Sequence, residues 1–166
     1  KMAEVKNEKH VISLLTNNTP GVLVRVGLVF AKRGFNIDSL VVSAVSTGCS
    51  RMTVVCSGEA TALGHMIKSL NKLIDVISAY DHTGQEIVER ELALFKVLAK
   101  TDRTELFQIM EVFRAKAVDV CDSSIMVEIT GTSEKLDAFE SLMKKFEIIE
   151  MVRSGKVLLV RGPEAT

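Results

Sequence analysis

Apolar positions recur along this chain of 166 residues with two periods that alternate in a fixed order. Residues 10–16 (His-Val-Ile-Ser-Leu-Leu-Thr) read as a strand, stopped by Asn17-Asn18-Thr19-Pro20-Gly21. Pro20 suits the opening turn of a helix, and a helical pattern follows to Arg33. Val22, Leu23, Val26, Val29 and Phe30 fall on an arc of about 120° at 3.6 residues per turn, which makes them the core stripe. Gly34 ends the helix. Ile37–Val45 is extended, Thr47-Gly48 turns, and Arg51–Cys56 returns with Met52, Val54 and Cys56 on one face. A second helical stripe (Leu63, Met66, Ile67, Leu70) and a strand over Val76–Tyr80 complete the order β-α-β-β-α-β.

Asp81–Glu89 is polar and reads as a linker, after which the order recurs. Leu92–Ala99 is a strand, and Asp102–Arg114 a helix with Leu106, Ile109, Met110 and Phe113 inward. Asp102 with Glu105 gives that helix a capping signal. Strands at Ala117–Cys121 and Ile125–Thr130 flank the turn Asp122-Ser123-Ser124. Ser133 opens a helix through Leu136, Phe139, Met143 and Phe146. Strands at Ile148–Val152 and Val157–Val160 turn at Ser154-Gly155. Phe30-Ala-Lys-Arg33 in the first half echoes Phe113-Arg-Ala-Lys116 in the second. The predicted class is α+β, with two tandem ferredoxin-like (βαββαβ) domains over residues 9–82 and 89–162. Val24, Leu28 and Ala31 form a second apolar face on the first helix, opposite its core stripe, which predicts burial against another copy of the chain.

Charge and composition narrow the function. Lys plus Arg equals Asp plus Glu at 21 each, so the excess positive charge of nucleic-acid binders is missing. Aromatic content is 5 %, with no Trp, which weakens any base-stacking platform, so an RNA-binding module of this fold is disfavoured. No apolar run approaches the ~18 residues that span a bilayer. Neither nucleic acid nor membrane is expected as a partner. The residues up to Lys9 are polar and read as a loose start. Cys49, Cys56 and Cys121 show no C-x-x-C spacing, which speaks for a reducing compartment such as the cytoplasm.

No catalytic constellation is present in the pattern. His10, His65 and His82 lack metal-ligand spacing and read as surface or edge residues. Cys49 reads as a turn residue, and Cys56 and Cys121 as core or half-core. No metal site and no resident cofactor is expected. The stretch Asn18–Asp38 is different. Asn18-Thr-Pro-Gly21 stands where a strand meets a helix, and a helix start offers free N–H groups and a partial positive charge to a carboxylate. Gly21 permits close approach, Asn18 and Asn36 can donate and accept, and Ile37 with Leu40 can house an aliphatic group. An amino acid, zwitterionic and neutral overall, fits that set; a helix cap and turn is the plainer reading of the same residues.

Asn18-Thr-Pro-Gly21 and Phe30-Ala-Lys-Arg-Gly-Phe-Asn-Ile-Asp-Ser-Leu40 resemble the opening of the acetohydroxyacid synthase (acetolactate synthase) small regulatory subunit. Ser50-Arg-Met-Thr53, Leu70-Asn-Lys-Leu-Ile-Asp-Val76, Val88-Glu-Arg-Glu-Leu-Ala-Leu94, Val118-Asp-Val120 and Arg153-Ser-Gly155 extend the resemblance over residues 10–162. The resemblance implies that the first domain is an ACT domain, a ferredoxin-like amino-acid sensor that dimerises. It implies a pocket for valine, or another branched-chain amino acid, at the ACT–ACT interface, with Asn18, Gly21, Val22, Asn36 and Ile37 as effector-binding positions. It implies a catalytic subunit as partner, and that thiamine diphosphate, Mg²⁺ and FAD belong to that partner. A cytoplasmic or plastid-stromal location follows from the same family. The compact turn Ser46-Thr-Gly-Cys49 departs from relatives with a longer acidic, proline-containing loop. Two alternatives stay open: an ACT regulator of another amino-acid enzyme, or a small ferredoxin-like enzyme using Arg25 and Asn36 on an anionic substrate.

Overall fold

The computed structural model describes residues 7–99 and 103–166. The chain forms two compact units, one running to Val88 and taking in Leu158–Thr166, the other Glu89–Val157. Residues 158–162, placed in the second domain by the sequence pattern, thus group with the first unit.

The first unit contains β1 (Asn7–Asn17), α1 (Val22–Lys32), β2 (Asn36–Ser46), β3 (Cys49–Glu59), α2 (Ala60–Asn71) and β4 (Val76–Asp81). Its four-stranded sheet has the order β2-β3-β1-β4, so β2 is an edge strand. Ile12, Leu14, Met52, Val54 and Cys56 alternate onto one sheet face and meet Val26 and Phe30 of α1 and Met66 and Leu70 of α2, all buried. Leu23 is a correction: it is 45 % exposed, at the margin of the stripe. Pro20 is another. It precedes the helix, in a turn closed by the Val22 N–H on the Thr19 carbonyl, with Gly21 at φ +82° supplying the left-handed position. At the far end of α1 the Phe35 N–H reaches the Phe30 carbonyl (3.0 Å) and the Gly34 N–H that of Ala31 (3.1 Å), with Gly34 at φ +74°. That is a Schellman stop, and Phe30 and Phe35 supply its buried contact.

The second unit repeats the plan with β5 (Ile87–Leu98), α3 (Arg103–Phe113), β6 (Lys116–Val120), β7 (Ser124–Gly131), α4 (Ser133–Met143) and β8 (Glu147–Arg153). The order β6-β7-β5-β8 matches that of the first sheet, and β9 (Val157–Val160) follows β8 along the chain. The fold is therefore α+β with two βαββαβ units, as the periodicity predicts. Phe95, Phe113 and Phe139 stack edge-on in the second core, with ring centroids 5.2 and 5.4 Å apart. The helix begins at Arg103 among the described residues, and the capping signal at Asp102 lies outside them, as do the polar residues 1–6. Thr132, one residue ahead of the expected start, caps α4 by accepting the Lys135 N–H. The linker expected over Asp81–Glu89 is shorter: a tight turn follows His82, and β5 starts at Ile87.

The Phe30/Phe113 echo is not a structural correspondence. The carbonyl that receives the closing bond of α1 belongs to Phe30, whereas in α3 it belongs to Met110. Met110, not Phe113, stands where Phe30 stands.

Candidate functional site

The strand-to-helix junction is built from Asn17 to Arg25. The Asn17 N–H donates to the Asp75 carbonyl and the Asn18 N–H to that of Gly48, both at 2.8 Å. Asp75, in the loop between α2 and β4, then receives the Thr19 hydroxyl (3.0 Å) and Arg25 Nε (2.7 Å), with a second Arg25 nitrogen on the same carboxylate. Asp75 thus holds the turn rigid and neutralises Arg25. A Cβ on Gly21 would sit 2.9 Å from an Arg25 guanidinium nitrogen, and φ +82° is itself hostile to other residues. The backbone angle is what demands glycine here; the guanidinium contact, at the far end of a flexible side chain, adds less. No side chain caps α1, and its first turn holds no acidic residue, so its N-terminal N–H groups and positive pole stay open to an anion.

The other half of the candidate site lies at the start of β2. Asn36 is exposed and pairs across the sheet with Ser57. Its Nδ2 donates to Asp38 Oδ1 at 2.6 Å, while the Ser57 hydroxyl donates to Asp38 Oδ2. A register shift between Ile37 and Ser39 leaves Asp38 unpaired in a bulge. Ile37 is half-buried against the core, so its side chain serves the core. Val22 needs correction in the same sense. It is 7 % exposed and packs in the core, and its N–H closes the turn on the Thr19 carbonyl, so neither its side chain nor its donor faces a ligand.

One protomer does not bring these halves together. Asn17 pairs with Cys49 and Asn36 with Ser57, at opposite ends of β3, about 27 Å apart at ~3.4 Å per residue. Helix α1, with 11 residues and about 16 Å of length, separates Gly21 from Asn36. Between them its outer surface is apolar: Val24 is 66 % and Leu28 59 % exposed, with Ala31 alongside. The same separation corrects the enzyme alternative, because Arg25 is bound to Asp75 and does not converge with Asn36.

The histidines and cysteines also depart from expectation. His65 is exposed, but His10 and His82 are buried. The Ser13 hydroxyl and His82 Nε2 share a hydrogen bond (2.6 Å), and His82 Nδ1 meets Gln85 (2.9 Å). His10 packs on Phe35, and neither of its ring nitrogens has a hydrogen-bond partner among the described residues. Cys49 opens β3, half-buried. Burial, and then the nearby Asp38 and Asp81 carboxylates, push the Cys56 thiol up to about 12, so it stays protonated and unreactive at neutral pH. Cys121 is exposed rather than core. Among the described residues no three His, Cys, Asp or Glu side chains converge as a metal centre requires, and no helix is long and apolar enough to cross a membrane.

Two motif segments of the second half meet in one ion-pair cluster that residue-by-residue reading misses. Arg153 grips Glu91 with two nitrogens (3.2 and 2.7 Å), the Ser133 hydroxyl adds a bond at 2.9 Å, and Arg153 also reaches Asp137 of α4. Glu91, Asp75 and Asp38 all stand inside quoted motifs; only the three-dimensional pairing reveals what each holds.

Two βαββαβ units, the first with an open helix N-terminus beside a glycine-locked turn, define a tandem ferredoxin-like protein of the ACT type. Residues 12–78 match the family model described as the AHAS small subunit-like ACT domain, and residues 90–162 the one described as the small subunit of acetolactate synthase. The chain is 42 % identical to a probable acetolactate synthase small subunit of Methanothermobacter thermautotrophicus, covering 97 % of this chain and 98 % of that protein. It is 45 % identical to an acetolactate synthase small subunit of Mycobacterium bovis, covering 93 % of each. The crystal structure of a small subunit of acetolactate synthase from Thermotoga maritima superposes with a TM-score of 0.85 at 35 % identity, over 95 % of this chain and 99 % of that one. The chain belongs to the acetolactate synthase small-subunit family.

Proposed function

We propose that the chain is the regulatory subunit of an acetohydroxyacid synthase, performing no chemistry itself. It binds the catalytic subunit, raises its activity, and transmits inhibition when valine or another branched-chain amino acid fills a pocket between two copies of its first unit. Thiamine diphosphate, Mg²⁺ and FAD act in the catalytic partner, and the complex works in the cytoplasm or plastid stroma.

The observation that carries this reading is the separation of the two half-sites on either side of an exposed apolar helix face. An antiparallel pairing of two α1 helices through Gly27 and Leu28 sets the Gly21 end of one against the Asn36 end of the other. Gly27 supports such close approach, since a Cβ there would meet no atom of its own chain within 4 Å. Pairing about a two-fold axis yields two equal pockets, and a ligand touching both copies favours one dimer geometry by its differential affinity.

Reconstitution tests the proposal. The chain is mixed with an acetohydroxyacid synthase catalytic subunit and acetolactate formation is followed with and without valine. Activation, with valine lowering the rate by a coupling of about 1–3 kcal/mol, is expected. Asn18→Ala or Gly21→Asp removes the valine response and preserves activation. Absence of both activation and inhibition refutes the regulatory reading, and intact inhibition in both variants refutes the pocket.

A further inference from the structure

The structure assigns Asn71, the last residue of α2, to guard the free edge of β4: its side-chain amide takes the place of a neighbouring strand and denies that edge to a second copy of the chain. The role is independent of what fills the effector pocket.

The sheet of the first unit ends in β2 on one side and β4 on the other, and an end strand turns a row of backbone N–H and C=O groups outward. On β4, Ala79 lies opposite Leu14 of β1 in the register, yet both of its backbone groups are bonded elsewhere. Its N–H donates to Asn71 Oδ1 (2.9 Å), and its carbonyl accepts from Asn71 Nδ2 (3.2 Å). In an antiparallel ladder the two groups of one residue point to the same side, so Asn71 stands on the side away from β1. The amide makes with Ala79 the two-bond exchange that an added strand would make. The contacts also fix its orientation, since the N–H requires the oxygen and the carbonyl requires the nitrogen. The other Nδ2 hydrogen goes to the Ile67 carbonyl (3.1 Å), one turn back in α2, which ties the guard to the helix. The strand is one that calls for a guard. Val76-Ile-Ser-Ala-Tyr-Asp81 is rich in strand formers, holds no proline and carries its one charge at the end, the composition of a segment that pairs readily with its own kind. Ile77 and Tyr80 are exposed on it, and Ile74 is exposed just before it. The opposite edge differs: among the described residues the side chains at the start of β2 bond to one another, Asn36 and Ser57 to Asp38, and none caps the strand's backbone.

Light scattering and amide hydrogen exchange on the full chain test this in the Leu28→Glu background, chosen so that contact through α1 does not mask a second contact. Asn71→Ala removes the guard, and the better helix propensity of alanine offsets part of the lost bonding. Two β4 edges meeting antiparallel about a two-fold axis are expected to raise the mass about twofold over Leu28→Glu alone at high chain concentration. The Ala79 amide, protected in the background, is expected to exchange about tenfold faster or more in dilute Asn71→Ala and to regain protection as the chain is concentrated. Adding Ile77→Lys puts a charge on the exposed side of the same edge and returns the mass to that of the background. An unchanged mass, with the Ala79 amide fast at every concentration, makes Asn71 a fastener between α2 and β4 and overturns the guard role. Association that survives Ile77→Lys, or that comes with lost protection of the β1 amides, means that Asn71 holds the fold rather than its edge and overturns the role as well.

Discussion

Gly34 and Arg114 do the same backbone task in the two units at different cost. Each follows a helix with φ positive, +74° for Gly34 and +54° for Arg114, and each lets the next N–H close back on the helix. For an L-residue that conformation costs about 1–2 kcal/mol, partly offset by the greater chain entropy glycine loses on folding. Arg114→Gly is therefore expected to stabilise the protein by several tenths to about 1 kcal/mol, read as a higher urea midpoint with unchanged slope. Gly34→Ala shifts the midpoint the other way by about 1 kcal/mol. If Arg114→Gly leaves the midpoint unmoved or lowers it, the Arg114 side chain makes a contribution that outweighs the strain. The sequence allows this comparison only once the register is known, because the visible echo aligns Phe30 with Phe113 when the carbonyl of Met110 does the corresponding work.

At the scale of elements, the strands, helices and core stripes are legible because period and punctuation agree at every boundary that counts. Val26, Phe30, Met66 and Leu70 are buried as predicted, as are Leu106, Met110, Leu136 and Phe139. What periodicity cannot reveal is pairing between distant polar residues, since Glu91 and Arg153 carry no periodic signal. Nor can it separate core from edge on β6, an edge strand whose residues are all exposed and after which Cys121 follows exposed too. The Glu91–Arg153 pair joins β5 to β8, and Ser133 and Asp137 extend it to α4. Burial alone pushes the Glu91 carboxyl up, but the Arg153 and Ser133 hydrogen bonds and the nearby Lys156 charge outweigh it, and the net sits below the ordinary carboxylate value of 4.5. A carboxyl depressed in the folded state stabilises that state above its unfolded value, and the contribution is lost as pH falls through the folded value. Arg153→Met is expected to cost about 2–3 kcal/mol at pH 7, because it strands a largely buried carboxylate. At low pH, where Glu91 is protonated in either form, the gap between native and variant closes. Melting curves taken from pH 7 downward check both statements, and a gap that does not narrow as pH falls assigns the loss to packing of the Arg153 side chain instead.

For the whole molecule, the decisive surface is the outer face of α1, where sequence and structure coincide: Val24, Leu28 and Ala31 lie opposite the core and are exposed in the single chain. The Asn18 and Asn36 half-sites read in the sequence as one pocket because the stretch between them is short along the chain. In space the helix drives them apart, and a second copy is the economical way to rejoin them. Leu28→Glu places a charge at the centre of that contact and is expected to halve the mass seen by light scattering while leaving the fold of each copy intact. Gly27 supplies the complementary experiment. In the Leu28→Glu background, Gly27→Ala meets no atom of its own chain and raises thermal stability through helix propensity, by up to about 1 kcal/mol. In the proposed dimer the same methyl would enter the helix–helix contact, so Gly27→Ala is expected to weaken association and valine binding together. A glycine neutral to dimerisation would stabilise both backgrounds equally, and that outcome would move the pairing away from this face of α1. Halved mass with undiminished valine affinity in Leu28→Glu would do more, because it would require the two half-sites to bind without being joined.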